Sequence, residues 1–257
     1  MASVPAGPVF APDPAQGRVF AARRMVRSTD VTPDGRLRFD AFARYLQEAA
    51  EDDVADTGWE PPYDWRLRRC EVAIRGYPRY GEKISLRTFC SATGPRWAER
   101  TTTLAGPGGD LMQARAVWVA IARADGRPCP LGEAFHHWYG AATGGREVSA
   151  RLTHPAPPAP AGTGLPGISW PLRASDFDPA GHVGNTIHWA AVEDVLAQSA
   201  ALPVAAELEY HRPMLPGQHP RLLTADADGQ VWAWLLADTQ RLASARLGFP
   251  GSGPSAR

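Results

Sequence analysis

Two stretches of the chain repeat apolar residues at helical spacing, and around each the pattern switches to alternation. From Phe39 to Val54 the residues Phe39, Phe42, Ala43, Leu46, Ala49, Ala50 and Val54 form one stripe, with Arg44, Gln47, Glu48 and Glu51 elsewhere. This predicts a core-facing helix of about four turns. Ahead of it, Arg18 to Val31 reads as a strand ending in the turn signal TPDGR. Behind it come four strand-like runs, Trp65 to Gly76, Lys83 to Thr93, Trp97 to Ala105 and Leu111 to Ala124, each bounded by Gly, Pro or Asp. Their alternation fits a half-buried antiparallel sheet.

The second half repeats this order in shortened form. A strand from Ile168 to Ala174 leads through the loop DFDPAGHVGN into a helix from Thr186 to Ala200, striped by Ile187, Ala190, Ala191, Val195 and Leu196. Strands follow at Val204 to His211, Arg221 to Ala227, Val231 to Leu236 and Arg241 to Phe249. One strand, one helix and four strands, twice over, is an internal repeat. A helix wrapped by a curved antiparallel sheet is the hot-dog module. Periodicity by itself gives the fold class α+β; the segments quoted below carry the tandem hot-dog reading, in which the two sheets would pair edge to edge and so remove a pair of exposed edges.

Composition fixes the boundaries. Between Arg146 and Gly167 the chain turns rich in Pro, Gly and Ala, a linker signature. The expected organisation is a disordered leader over 1–17, a first repeat over 18–145, a linker over 146–166, a second repeat over 167–249 and a frayed tail over 250–257. The leader lacks the cationic and apolar segments of a targeting signal, and no apolar run is long enough to cross a membrane. Lys+Arg and Asp+Glu are both 27 of the 257 residues, so no field of one sign gathers nucleic acid or an anionic membrane. Three cysteines, Cys70, Cys90 and Cys129, have no C-x-x-C spacing, which indicates neither a disulfide framework nor a zinc site and fits a reducing cytoplasm. The adjacent His136 and His137 point to different sides, a poor pair for one ion.

Several segments then carry a resemblance. FARYLQEAAEDDVADTGW, YPRYGEKISLRTF and ARAVWVAIARADGRPCPL in the first half, with SDFDPAGHVGN and ELEYHRPMLPG in the second, resemble in order the segments of the acyl-acyl carrier protein (ACP) thioesterases. Asp176-Phe177-Asp178-Pro179-Ala180-Gly181 is also similar to the D-x-D-P-A-G loop of 4-hydroxybenzoyl-CoA thioesterases. The resemblance implies a double hot-dog that hydrolyses an acyl thioester on ACP or coenzyme A. It also implies an acyl pocket shaped by the first repeat, and a phosphopantetheine arm that arrives with the substrate, with no resident cofactor or metal. Both comparisons place the essential carboxylate at Asp178.

Physically, a carboxylate beside a helix start can activate water while the unpaired N–H groups there stabilise an oxyanion. His182 is a candidate to orient that water or protonate the thiolate. Asn185 reads as the N-cap of the following helix. Glu193 and Asp194 are candidate second carboxylates, and Gly181, Val183, Gly184, His188, Trp189, Gln47 and Glu48 are candidate substrate-binding positions. The sequence departs from the ACP thioesterase pattern at Ala180, where the family has Asn, and at Pro213 and Met214, where it has Glu and Cys. Three alternatives to hydrolysis stay open: a dehydratase or a cyclase with His182 as base, or a non-catalytic acyl-binding protein. Oligomeric state is open too, a homodimer being one option.

Overall fold

The structure, a computed structural model, describes residues 11–158, 167–199 and 201–251. The first ten residues of the expected leader, residues 159–166 of the expected linker and the tail from 252 lie outside the described residues.

The first repeat opens with β1 (Phe20–Met25) and α1 (Phe39–Thr57). Strands β2 (Tyr63–Ile74), β3 (Lys83–Gly94), β4 (Trp97–Gly106) and β5 (Gly109–Ala122) follow, then α2 (Gly132–Thr143). The second repeat holds β6 (Ile168–Ser169), α3 (Asn185–Leu196), β7 (Ala205–Tyr210), β8 (Arg221–Ala227), β9 (Gln230–Ala237) and β10 (Gln240–Gly248).

The ten strands of the described residues form one antiparallel sheet in the order β1-β3-β4-β5-β2-β7-β10-β9-β8-β6. The order is symmetric about the β2–β7 seam, where Arg69 to Ala73 pair with Glu209 to Ala205. The edge that each five-stranded unit would expose at its second strand is thereby satisfied by the other. This is the double hot-dog, with the predicted edge-to-edge junction. The apolar stripes of α1 and α3 face the concave side and each other: Phe39 and Trp189 stack with centroids 5.4 Å apart.

Three differences from the pattern reading have physical causes. The leading strands are short because each gives way to a 3-10 turn, Ser28–Asp30 and Ala174–Asp176. In both turns a buried aspartate, Asp30 or Asp176, accepts the backbone N–H of Arg27 or Arg173. The helix α1 continues to Thr57 because the residue that can adopt the left-handed end is Gly58, at φ 66°. Helix α2 has no counterpart in the pattern reading. Its signal, Leu131, Phe135, Trp138, Tyr139 and Ala142 at helical spacing, lies among His, Gly and Thr, which are poor helix formers. It buries Phe135 and Tyr139 in a second apolar cluster with Tyr63, Cys90 and Ala98.

The start of the expected linker is ordered by the sheet. Glu209 on β7 accepts hydrogen bonds from the backbone of Thr153 (2.5 Å) and His154 (3.1 Å), and the His154 ring meets Ser244. Since Leu208 and Tyr210 face the helices, Glu207 and Glu209 point to the outer face, and residues 149–158 run across it as a strap.

Candidate active site

The two turns that precede α1 and α3 correspond residue by residue at constant separation in sequence. Val31 and Leu37 form one bridge, Phe177 and Val183 the other. Gly35 and Gly181 both take a left-handed φ, 83° and 77°. Thr32 Oγ1 accepts from the Arg36 backbone, just as Asp178 Oδ1 accepts from that of His182. Phe39 and Asn185 each begin a helix. The correspondence pairs Thr32 with Asp178, Arg36 with His182, Phe39 with Asn185, Ala43 with Trp189 and Gln47 with Glu193.

Asp178 is held by this turn. Its Oδ1 accepts the N–H groups of Ala180 (2.9 Å) and His182 (3.1 Å), its own N–H donates to the His182 carbonyl (2.8 Å), and its carbonyl accepts from Gly181 (2.9 Å). Oδ2 accepts no hydrogen bond among the described residues. One oxygen therefore fixes the side chain and the other is available. The cap of α3 is Gly184, so Asn185 is the first helical residue instead of the expected N-cap. Ile187 N–H turns back to the Gly184 carbonyl, and the first N–H groups of the helix point out at its positive end.

Asp178 and Asn185 form one end of a cavity of about 680 Å³; the rest of its wall comes from the first repeat. Helix α1 contributes Gln47, Ala50, Glu51 and Val54. The sheet supplies Trp65, Ala98, Arg100 and Trp118, and α2 adds Phe135 and Tyr139. The one guanidinium deep in this wall is neutralised: Arg100 pairs with buried Asp53 at 2.6 Å and lies over the Tyr139 ring at 5.4 Å. Cys90 also lines the cavity, but burial pushes its thiol up to about 12, so it stays protonated at neutral pH and is no nucleophile.

The corresponding place in the first repeat is closed. Glu193 reaches from α3 to the start of α1, accepting the Phe39 N–H at 2.6 Å and both amino groups of Arg36 at 3.1 and 2.7 Å. Phe39 and Trp189 fill the space beside it, where the open copy has only Asn185 and Ala43. Thus the asymmetry in side-chain size leaves the cavity beside Asn185, while the matching place beside Phe39 is filled by Trp189 and Glu193.

Of the candidate residues, the structure brings Asp178, Asn185 and Gln47 to one cavity. Glu193 is instead committed to Arg36 and α1, and Asp194 accepts the Trp170 indole N–H at 2.8 Å. Glu48 pairs with Arg44 and Arg24 on the outer side of α1. Val183, His188 and Trp189 are buried in the core, while Gly181 and Gly184 shape the loop without lining the cavity. The His182 ring is half-buried and, among the described residues, makes no hydrogen bond. Glu51, Trp59, Arg100 and helix α2 were not singled out as site elements by sequence. The helical periodicity that places Gln47 and Glu51 on one face of α1 was the available signal. His154, Glu207 and Glu209 are of metal-binding types, but they sit on the outer face, engaged with the strap and Arg246.

Burial pushes His188 down to about 4, with its Nδ1 at the Gly184 carbonyl, so the folded chain keeps it neutral. The unfolded chain takes up the proton near 6.5. The unfolded state thus binds more protons between these values, so stability climbs with pH from about 4 to about 6.5 and levels above. The contribution of this one residue is about 3 kcal/mol, and His211 is displaced in the same direction. Urea midpoints at pH 4.5, 5.5 and 7 should rise in that order, and less steeply in His188→Phe. A flat series would contradict the burial of a neutral imidazole.

Residues 17–139 match the family described as the acyl-ACP thioesterase N-terminal domain. The match covers the first repeat and ends before the Asp178 loop. The whole chain shares its double hot-dog fold with the 12:0-ACP thioesterase from Umbellularia californica, at TM-score 0.73 and 20% identity over 91% of this chain and 98% of that one. It is equally similar to an acyl-ACP thioesterase from Bacteroides thetaiotaomicron, at TM-score 0.74 and 17% identity over 90% and 97%. An uncharacterized protein of Mycobacterium tuberculosis is 28% identical over 208 residues, 80% of this chain and 82% of its own length.

Proposed function

We propose that the protein hydrolyses an acyl thioester carried on ACP or coenzyme A and releases a free carboxylic acid. The observation that carries this reading is the meeting of a fixed carboxylate with an unbonded oxygen, a helix start and a largely apolar cavity. The acyl chain lies in the cavity of the first repeat, with the thioester carbonyl at the N-terminus of α3. Asp178 Oδ2 takes a proton from water as its oxygen attacks the carbonyl carbon, and the N–H groups of α3 hold the oxyanion. Collapse breaks the C–S bond, and the proton returns to the leaving thiolate. The step balances with water alone and calls for no cofactor.

Departures from the family pattern fit this simpler site. Met214 is fully buried and offers its carbonyl to Val183 at 2.9 Å, so an apolar side chain stands beside the loop where the family has a polar group. A dehydratase or cyclase using His182 is less well served, because its ring is not part of the cavity wall. The buried thiols of Cys70 and Cys90 suit a reducing cytoplasm, and no helix among the described residues is long and apolar enough to cross a membrane.

The test is a panel of acyl-ACP and acyl-CoA thioesters of graded chain length, followed by thiol release and by mass. Free thiol with a carboxylic acid is the expected outcome. Loss of one water with the thioester intact would indicate dehydration, and binding without turnover an acyl-binding protein. Ala50→Phe fills the cavity from α1 and should lower kcat/KM for long chains about tenfold or more while sparing short ones, since one methylene in an apolar pocket is worth about 1–3 kcal/mol. An unchanged chain-length profile would place the acyl group elsewhere.

A further inference from the structure

The correspondence between the repeats assigns a role to Gln47 that rests on the hydrolytic reading above. In the closed copy, Glu193 projects from α3 and accepts the first N–H of α1 at 2.6 Å. Gln47 occupies the same position on α1 and lines the cavity with Asn185, the first residue of α3. A carboxamide is as long as a carboxylate, yet it makes no hydrogen bond to the α3 backbone among the described residues. The contact that seals the closed copy is therefore missing from the open one, and Gln47, Asp178 and the start of α3 share the wall of one cavity.

The orientation of the Gln47 amide follows from chemistry. Its Nε2 donates to Glu51 Oε1 at 2.9 Å, and Glu51, also in the cavity wall, is a carboxylate that can only accept. The amide oxygen Oε1 is thus turned away from Glu51 and, among the described residues, accepts nothing. Asp178 Oδ2 is likewise an acceptor without a donor. Two such acceptors in the wall of one cavity suit a water molecule that donates one hydrogen to each. Its lone pair is then left for the carbonyl carbon held at α3.

We propose that Gln47, oriented by Glu51, is the water-positioning residue of this site and supplies from α1 what the absent Asn and Glu would supply from the second repeat. Asp178 takes one proton of the water and Gln47 Oε1 holds the other. Both single-residue roles use groups already in the wall of the cavity, and neither requires His182.

The proposal is tested by steady-state kinetics and pH profiles of the full chain, wild type against Gln47→Ala, Gln47→Glu and Glu51→Gln, on the best thioester of the panel. Gln47→Ala should lower kcat by 10- to 100-fold with KM within threefold and an unchanged melting temperature. Glu51→Gln, whose amide can also donate and so lets Gln47 turn, should show a smaller fall of the same kind. Gln47→Glu places a second carboxylate near Asp178; like charges raise the value at which the pair loses its protons. The acid limb of its kcat profile should therefore move to higher pH, which a purely structural role would not produce. If wild type releases thiol but Gln47→Ala keeps its kcat, or raises KM alone, the positioning role is wrong and hydrolysis stands. If wild type releases no thiol from any thioester, the hydrolytic reading itself fails.

Discussion

Asp178→Asn should reduce thiol release by about 10²- to 10⁴-fold, the range that a positioned general base contributes, with no loss of fold. The second half of that expectation comes from the geometry of the turn. Oδ1 of Asp178 accepts the Ala180 and His182 N–H groups, and an asparagine side chain presents the same oxygen in the same place. What the substitution removes is the basicity of the second oxygen, on a side chain that lines the cavity. Asp178→Ala, by contrast, takes away both the base and the turn, so two backbone N–H groups lose an acceptor. Comparison of the two separates chemistry from scaffolding: kcat should fall in both, and the urea midpoint only in the alanine variant. Full turnover by the asparagine variant would remove Asp178 from the reaction.

The largest effect on stability is expected at the ion pair that closes the first-repeat copy of the site. The side chains of Arg36 and Glu193 are 6% and 12% exposed, and Glu193 also accepts the Phe39 N–H. Glu193→Ala leaves a buried guanidinium and an unsatisfied helix start together. The cost of breaking such a pair is about 3–5 kcal/mol, roughly 10 °C or more in melting temperature for a chain of this size. Exchanging both partners for apolar residues, Arg36→Met with Glu193→Leu, should recover much of the loss because no charge is then stranded. Turnover below the melting point should survive in both. Glu193→Gln serves as the catalytic control, since it keeps the hydrogen bond to Phe39. If that variant loses turnover while melting normally, Glu193 belongs to the reaction after all, and the separation of the two copies would have to be redrawn.

The sequence carried these arguments unevenly. Strand alternation and the two helical stripes gave an α+β repeat, the resemblance of the quoted segments to acyl-ACP thioesterases made it a double hot-dog, and the resemblance of the D-x-D-P-A-G loop pointed to Asp178. Helix α2 was not legible: its stripe is carried by aromatics among poor helix formers, and it is stabilised by packing on Cys90 and Ala98 rather than by its own propensity. Glu193 was misleading for a related reason. It sits one turn from residues near the site, and periodicity alone cannot distinguish a carboxylate facing a cavity from one facing Arg36, which lies far away in the chain. Part of the Pro-rich stretch after Arg146 likewise looked unanchored until Glu209 on β7 met its backbone.

What the amino-acid order determined by itself is local: which segments are helix or strand, where the chain turns, and that one turn holds an aspartate ahead of a helix. Those features depend on neighbours within a few residues. Which of two equivalent helix starts is open was decided only by the tertiary structure. That choice depends on side chains brought together from both repeats, Phe39 with Trp189 and Arg36 with Glu193 on one side, Asn185 and Gln47 on the other. Packing fills the first and leaves room at the second, because the volume of a site is a property of residues in contact and not of residues in sequence.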